Sequence, residues 1–262
     1  MRPKSPYLVG GGRIERTAEV MRLVLPPCSA TQYSDAQLDD YGGESGFVFA
    51  NNAPLSITLH ARFSHPIGQL RGTAGFGFWN HPFVAGGGTI PRSLWFFNSS
   101  NDSDLQFARG VAGYGFKAAL LDALPIARAR NSHSSNISKS ANAAPTNAPD
   151  GLLFKAAALV TRQRWLMALA IRAAQRVFHA REKLLDLDIT EWHEYVLEWR
   201  HHAVVWRIDG APVFQAKRPP AGPLGFVAWI DNYRAQFTID GRYEFAYAAT
   251  SETQWLDLKL GH

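Results

Sequence analysis

The chain has 262 residues, 46% of them hydrophobic, and a formal net charge of +5. Cys28 is its only cysteine, which excludes an intramolecular disulfide and a cluster of thiolate metal ligands. Because no apolar run is long enough for a secretory signal or a bilayer-spanning helix, we expect a cytoplasmic protein.

The first half of the chain has the pattern of an all-β protein. Five segments rich in apolar residues are separated by clusters of Gly, Pro, Asn and Asp, which favour turns. We expect strands at residues 16–25, 47–51, 55–63, 74–79 and 94–99. In the fourth segment, Trp79 and His81 share a face with Gly75 and Gly77, because side chains alternate along a strand. The glycines either leave room for a ligand or allow close strand packing.

Two segments in the middle of the chain differ from the rest. Residues 127–150 are rich in Ser, Asn and Ala, and we expect a disordered loop there. Residues 151–185 lack Pro and internal Gly and have a helical apolar period, which predicts an amphipathic helix inserted between strands. It carries seven basic residues against Glu182 alone. Such a helix is a lid, a contact for an anionic membrane surface through residues 152–185, or a partner site. From residue 161 onward its only aromatic residues are Trp165 and Phe178, so nucleic acid is the weakest partner.

Strand signals return after the predicted helix, most clearly in EWHEYVLEWRHHAVVWRIDGAPVF, residues 191–214. His193, Tyr195, Leu197 and Trp199 alternate on one face of a first run. Val204, Trp206 and Ile208 alternate in a second run, and Asp209-Gly210 favours the turn after it. This pattern predicts consecutive antiparallel strands. Further strands are expected at 226–232, 242–247 and 255–260.

This block resembles a known family. The order W-H-x-Y-x-x-E-W, a short gap and W-x-x-D-G is similar to the concanavalin A-like jelly rolls, and within them to family-16 glycoside hydrolases. Residues 75–79 (GFGFW), 223–232 (PLGFVAWIDN) and 254–260 are also similar to strands of that family. The resemblance implies a single jelly-roll domain over residues 1–262, made of two antiparallel sheets.

The chain departs from this family in the strand that carries the catalytic residues. The hydrolases carry E-x-D-x-x-E there, and its two glutamates are the nucleophile and the acid/base. The matching stretch, residues 94–100, is LWFFNSS and has no carboxylate. Asp102 and Asp104 follow in a turn-like NDSD, where aspartate commonly forms turns. Asp186, Asp188 and Glu191 form a D-x-D-x-x-E, but directly before the W-H-x-Y strand, where acids of a connecting segment are the simpler interpretation.

The candidate binding residues follow from strand alternation and from the resemblance. Trp229 and Asp231 share the face opposite Phe226, Ala228 and Ile230, and in the family that face lines the cleft. An indole that stacks on a sugar ring beside a carboxylate that accepts hydroxyl protons suits saccharide recognition. Trp95 supplies aromatic surface on the strand that lacks acids, although the sequence leaves its face open. The predicted binding residues are Trp79, Asn80, His81, Trp95, Trp229 and Asp231.

We therefore expect a cytoplasmic, saccharide- or small-molecule-binding protein without the standard catalytic dyad. An alternative is a hydrolase or lyase that uses His81, Asp231 or the Asp186/Glu191 acids, because histidine and paired carboxylates perform acid/base chemistry. Another is a membrane-peripheral protein that docks through residues 152–185. We expect no cofactor. We also expect no metal site, since His201 and His202 point apart on a strand and lack a suitably spaced third ligand.

Overall fold

The computed structural model describes residues 5–42, 48–81, 91–123, 178–237 and 243–260. Within these ranges the chain is built of β-strands. They are β1 Ser5–Val9, β2 Arg13–Arg16, β3 Met21–Leu25, β4 Asp35–Asp39, β5 Leu55–Phe63, β6 Thr73–Trp79, β7 Arg92–Ser99, β8 Asp104–Leu105, β9 Gly115–Ala123, β10 Phe178–Leu184, β11 His193–Trp199, β12 Ala203–Ile208, β13 Ala211–Lys217, β14 Gly225–Asp231, β15 Tyr233–Phe237, β16 Tyr243–Tyr247 and β17 Gln254–Leu260. The described part contains no helix able to span a membrane.

Two large antiparallel sheets form the molecule. Sheet A has the order β1-β4-β14-β6-β7-β9-β10, and sheet B the order β13-β12-β11-β5-β17-β3-β2. A third, small sheet has the order β16-β15-β8. Some neighbouring strands, such as β4 and β14 in sheet A and β5 and β11 in sheet B, lie far apart in sequence, so each sheet needs strands from both halves of the chain.

The hydrophobic core fills the space between sheets A and B. Phe78 of sheet A contacts Trp199 of sheet B with ring centroids 5.7 Å apart, and Phe76 contacts Tyr195 at 5.1 Å. The indole of Trp206 in sheet B donates to the Trp95 carbonyl of sheet A at 3.0 Å. This packing buries the alternating residues predicted from 191–214 except His193, which is half-buried, and the all-β prediction with two antiparallel sheets is confirmed. The jelly-roll domain over residues 1–262 stays a prediction.

The predicted helix is wrong at its end. Phe178–Leu184 is β10, and it pairs with β9 from Phe178 opposite Ala123 to Leu184 opposite Lys117. The reason is visible in the burial, because Ala180 and Glu182 are buried while Arg181 and Lys183 are exposed, a period of two. The rest of the predicted helix and the predicted loop at 127–150 lie outside the described residues.

Other boundaries also move. The expected strand at 16–25 is divided into β2 and β3 by a turn in which the Thr17 N–H donates to the Val20 carbonyl at 2.9 Å. In the expected strand at 47–51, residues 48–50 form no strand, and Asn51 makes an isolated bridge with Leu224. β4 and β9 were not predicted, and both contribute to the site described next.

Candidate ligand-binding face of sheet A

The face of sheet A that points away from the core carries both aromatic and acidic side chains; we call it the outer face of sheet A. Strand pairing aligns Val227 with Gly77 and Trp95, and Trp229 with Gly75 and Phe97. One row further, Asp231 lies between Asp35 of β4 and Thr73 of β6. Trp95, whose face the sequence left open, therefore lies on the same face as Trp79, Trp229 and Asp231.

Trp79, Trp95 and Trp229 form a contiguous aromatic strip on three adjacent strands. The ring centroids of Trp79 and Trp95 are 5.3 Å apart, and those of Trp95 and Trp229 are 5.6 Å apart. All three residues are half-buried. The Trp229 indole donates to Thr73 Oγ1 at 2.9 Å, and the Trp79 indole donates to the Tyr41 hydroxyl. The Trp95 Nε1 is buried and has no hydrogen-bond partner among the described residues.

The glycines beneath this strip serve close strand packing. A Cβ at Gly77 would lie 2.1 Å from the Leu94 carbonyl oxygen and 2.9 Å from Trp95 Cα. At Gly75 it would lie 2.4 Å from the Phe96 carbonyl oxygen. Gly77 also has a φ of 152°, which side chains rarely tolerate. Of the two hypotheses for these glycines, the structure supports the packing of β6 against β7.

His81 and Asn80 lie at the end of the strip where β6 stops. The His81 ring is 4.6 Å from the Trp79 ring and 5.5 Å from that of Tyr41, and its backbone has a φ of 36°. Burial lowers the pKa of His81, which favours the neutral imidazole at neutral pH. The Asn80 side chain is buried, and its oxygen accepts from the Arg92 N–H at 2.9 Å. Asn80 thus ties β6 to β7.

Asp231 lies beyond Trp229 in a dense hydrogen-bond network. Its Oδ1 accepts from Thr73 Oγ1 at 2.8 Å, from the Thr73 N–H at 3.2 Å and from the Tyr233 N–H at 3.0 Å. Its Oδ2 accepts from the Tyr33 hydroxyl at 3.3 Å. Despite these donors, burial raises the pKa of Asp231 to about 6.

Asp35, directly opposite on β4, is the acidic partner that the sequence did not reveal. Asp35 and Asp231 are both buried, with exposed fractions of 2% and 7%. Facing side chains in an antiparallel pair have Cβ atoms about 4.5–5.5 Å apart. Asp35 Oδ1 has no hydrogen-bond partner in the described part of the chain. Burial, reinforced by the Asp231 charge, raises the pKa of Asp35 well above its usual range. The two carboxyl groups therefore do not ionise independently.

A second buried charged pair lies at the other end of the same face. Lys117 Nζ of β9 donates to Glu182 Oε2 of β10 at 3.1 Å, with both side chains fully buried. Nζ also donates to the Leu105 carbonyl at 3.1 Å, and Glu182 Oε1 accepts from the Phe107 and Ala108 N–H groups at 3.1 and 2.9 Å. Burial lowers the pKa of Lys117 and raises that of Glu182, in each case against the attraction of the partner. The pair fastens the 105–108 segment over β9 and β10.

The remaining acids and histidines predicted as alternatives occupy turns and edges. β7 places no carboxylate on the outer face of sheet A. Asp102 accepts from Arg71 at 2.8 Å and from Ser100 at 2.5 Å, whereas Asp104 belongs to β8. Asp186 and Glu191 are exposed in the connection between β10 and β11, and Asp188 accepts from Thr190 Oγ1 at 2.6 Å. This connection joins two strands rather than a helix and a strand.

The histidines of the β11–β12 region have structural contacts. His193 Nδ1 lies 2.6 Å from Asp209 Oδ2, and its Nε2 lies 3.0 Å from the Asp188 carbonyl oxygen. His201 and His202 are exposed in the turn between the two strands. Across the described ranges, no three His, Cys, Asp or Glu side chains are grouped so that they could hold a metal ion.

Several solved structures resemble this chain. An endo-β-galactosidase from Clostridium perfringens that releases GlcNAcα1-4Gal aligns over 98% of this chain at 9% identity with a TM-score of 0.46, and this chain spans only 58% of its length. A family-16 endo-glucanase from Bacteroides ovatus aligns at 8% identity, with a TM-score of 0.43 and coverage of 95% and 85% of the two chains. A Bacillus licheniformis β-glucanase aligns at 12% identity, with a TM-score of 0.40 and coverage of 99% and 92%.

These likenesses assign neither a family nor an activity, because every one of the three TM-scores is below 0.5. No protein-family profile matches the sequence. No curated protein matches it either.

Proposed function

We propose that this protein is a concanavalin A-like jelly roll, similar to family-16 glycoside hydrolases but without their standard dyad, that binds a saccharide on the outer face of sheet A. The observation that carries the proposal is the aromatic strip. Three half-buried indoles on adjacent strands, with Trp95 5.3 Å from Trp79 and 5.6 Å from Trp229, offer an apolar surface several ångströms long. Sugar rings present apolar C–H faces that suit such a surface.

Polar groups beside the strip suit the hydroxyls of a saccharide. Gln37 and Asp39 of β4 lie on the same face, and the Gln37 amide donates to Asp39 at 2.8 Å. Both are largely buried, so they are held rather than flexible. A rigid apolar platform with a few fixed polar neighbours is the usual composition of a small-ligand site.

A binding protein is favoured over a hydrolase by the positions of the acids. The carboxylates of Asp231, Asp35 and Asp39 on this face are 7%, 2% and 8% exposed, and Asp231 accepts four hydrogen bonds from the protein. A hydrolase needs an acid and a base that reach the scissile bond. In this chain, β7 corresponds to the strand that carries the dyad in family-16 hydrolases. It has Ser93, Trp95, Phe97 and Ser99 on this face.

The proposal is tested first by thermal shift of the whole chain against β-glucan and galactan oligosaccharides, with apolar metabolites as a contrasting set. A ligand that binds only the folded state stabilises it by about 2.7 kcal/mol at a hundredfold excess over Kd, and this raises the melting temperature. A shift with oligosaccharides is expected. A shift with apolar compounds alone would show that the ligand is apolar and not a saccharide.

The site itself is tested by calorimetry with the oligosaccharide that gives the largest shift. W229A is expected to weaken binding by about tenfold or more, or about 1.4 kcal/mol, because it removes the end of the strip. W255A is the matched control, since Trp255 is a half-buried tryptophan on the outer face of sheet B, stacked 4.2 Å from the Arg22 guanidinium. Equal losses in the two variants would refute the site.

Catalysis is tested in the same samples by the appearance of new reducing ends. A binder leaves the oligosaccharide intact. Release of product that D231N abolishes, while binding is retained, would show instead that the protein is a hydrolase.

A further inference from the structure

The Asp35–Asp231 pair is connected to the aromatic strip by a single hydroxyl group. Thr73 Oγ1 has one proton, and it donates that proton to Asp231 Oδ1 at 2.8 Å. The same oxygen accepts from the Trp229 indole at 2.9 Å. The orientation of the Trp229 ring is therefore fixed through Thr73 by the position and charge of Asp231.

No positively charged group among the described residues is paired with the two aspartates. Asp39 of β4 and the phenol of Tyr33 are the further titratable groups that act on Asp35, and Tyr7 of β1 acts on Tyr33. Burial raises the pKa of Tyr33 well above its usual range, so it remains a neutral donor. Within the described ranges no Lys, Arg or His forms an ion pair with either aspartate. Two facing carboxylates without a cation repel each other in a site of low dielectric constant.

The hydrogen bonds distinguish the two aspartates. Four donors point at Asp231, and donors stabilise the ionised form of a carboxyl group. Asp35 Oδ1 has none, and the residue is only 2% exposed, so a proton on Asp35 relieves both the desolvation and the repulsion.

We propose that Asp35 and Asp231 hold one proton between them, carried by Asp35, and that they position Trp229 through the Thr73 hydroxyl, so that the aromatic strip responds to pH. Loss of the proton places a second negative charge beside Asp231 and disturbs the Thr73–Trp229 hydrogen bond. The consequence for saccharide binding rests on the proposed function, but the titration of the pair does not.

The test is an NMR titration of the ligand-free, full-length, ¹⁵N-labelled protein from about pH 4.5 to 8.5. We expect the Trp229 indole N–H signal, assigned by its absence in W229F, to shift with a midpoint set by the pair and well above the ordinary aspartate pKa of 3.8, because burial and the Asp231 charge raise the pKa of Asp35. The Trp206 indole, which donates to the Trp95 carbonyl inside the core at 3.0 Å, is the internal control and is expected to stay constant.

Three variants separate positioning from a general structural change. D35N is isosteric with the protonated aspartate and is expected to abolish the Trp229 titration while leaving the signal near its low-pH position. T73V removes the connecting hydroxyl and is expected to uncouple Trp229, and T73S is expected to restore the titration. A flat Trp229 signal in the wild-type protein, or a titration that persists in D35N, would overturn the proposal whether or not any saccharide binds.

Discussion

The two ends of the outer face of sheet A bury charge in opposite ways. At one end, Lys117 and Glu182 form an oppositely charged pair in which every described polar contact is a hydrogen bond to the partner or to backbone. At the other end, Asp35 and Asp231 carry charge of the same sign, and one carboxylate oxygen has no described partner. A buried charge is tolerated only when paired and hydrogen-bonded. The first pair meets this condition, whereas the second meets it only when it keeps a proton.

This difference separates structure from function within one sheet. The satisfied pair fastens residues 105–108 and leaves no group for a ligand or a proton to contact. The unsatisfied pair lies one hydroxyl away from Trp229. Polar groups left without partners in a native structure commonly mark a functional position. We therefore expect substitutions at the two ends to differ in sign as well as in size.

The largest effect is expected for K117M. It leaves the Glu182 carboxylate buried without a cation, and breaking a buried ion pair from one side costs about 3–5 kcal/mol. Urea unfolding at pH 7 measures the loss. K183M is the matched control, because Lys183 lies on the same strand as Glu182 but is exposed, with its amine 2.8 Å from the Val213 carbonyl. A loss below 1 kcal/mol in K117M would show that the pair is not buried as described.

A smaller loss is expected for D257N on sheet B. Asp257 is 1% exposed and accepts from Arg22 at 2.6 and 2.9 Å and from Arg62 at 3.1 Å. Hydrogen bonds to a charged group contribute about 1.5–3 kcal/mol. Both arginines are about one-third exposed, so water replaces part of what is lost. Urea unfolding at pH 7 measures the loss.

D35N is expected to raise the free energy of unfolding rather than lower it, and only at pH values above the unfolded pKa of aspartate. The pair's pKa is raised on folding, so its contribution to stability is complete below the unfolded value of 3.8 and is lost as pH rises through the folded value, about 6 for Asp231. Asparagine cannot ionise. D35N should therefore match the wild-type protein below the unfolded pKa of 3.8 and become more stable than it as pH rises, by about 1.4 kcal/mol for each pH unit up to the folded pKa of Asp35. Melting temperatures across this range measure the difference; a constant or negative difference would contradict the shared proton.

The sequence indicated Trp79, Trp229 and Asp231, but neither Asp35 nor the Lys117–Glu182 pair. Trp79, Trp229 and Asp231 follow from alternation in strands whose opposite face is apolar, and this signal is local. Asp35 belongs to a strand in which only Ala36 and Leu38 face the core, so two apolar residues flanked by aspartates were too few to predict a strand. Glu182 fell within a predicted helix because β10 is a short edge strand whose pairing with β9 is a tertiary effect.

The partners of these residues come from strands far apart in the chain. Asp35 meets Asp231 through the pairing of β4 with β14, and Lys117 meets Glu182 across the segment between β9 and β10. No local pattern encodes these contacts. The all-β class was predictable because it depends on periodicity, whereas the chemistry of the face depends on the order of strands in the sheet.

The smallest effect is expected for E198Q at the surface of sheet B, where charge is paired in contact with water. Glu198 lies 2.6 Å from Arg207 Nε and also contacts Arg200, and these arginines lower its pKa. A lowered pKa gives stability that is present above the unfolded value of 4.5 and is lost as pH falls, the reverse of the Asp35–Asp231 pair. E198Q should lose about 0.2–1 kcal/mol at pH 7 and less below pH 4. Because salt screens exposed pairs, this loss should be smaller when urea unfolding is measured in about 1 M NaCl, whereas the loss in K117M should be nearly unchanged. Equal salt sensitivity in the two variants would remove the distinction between buried and surface pairing.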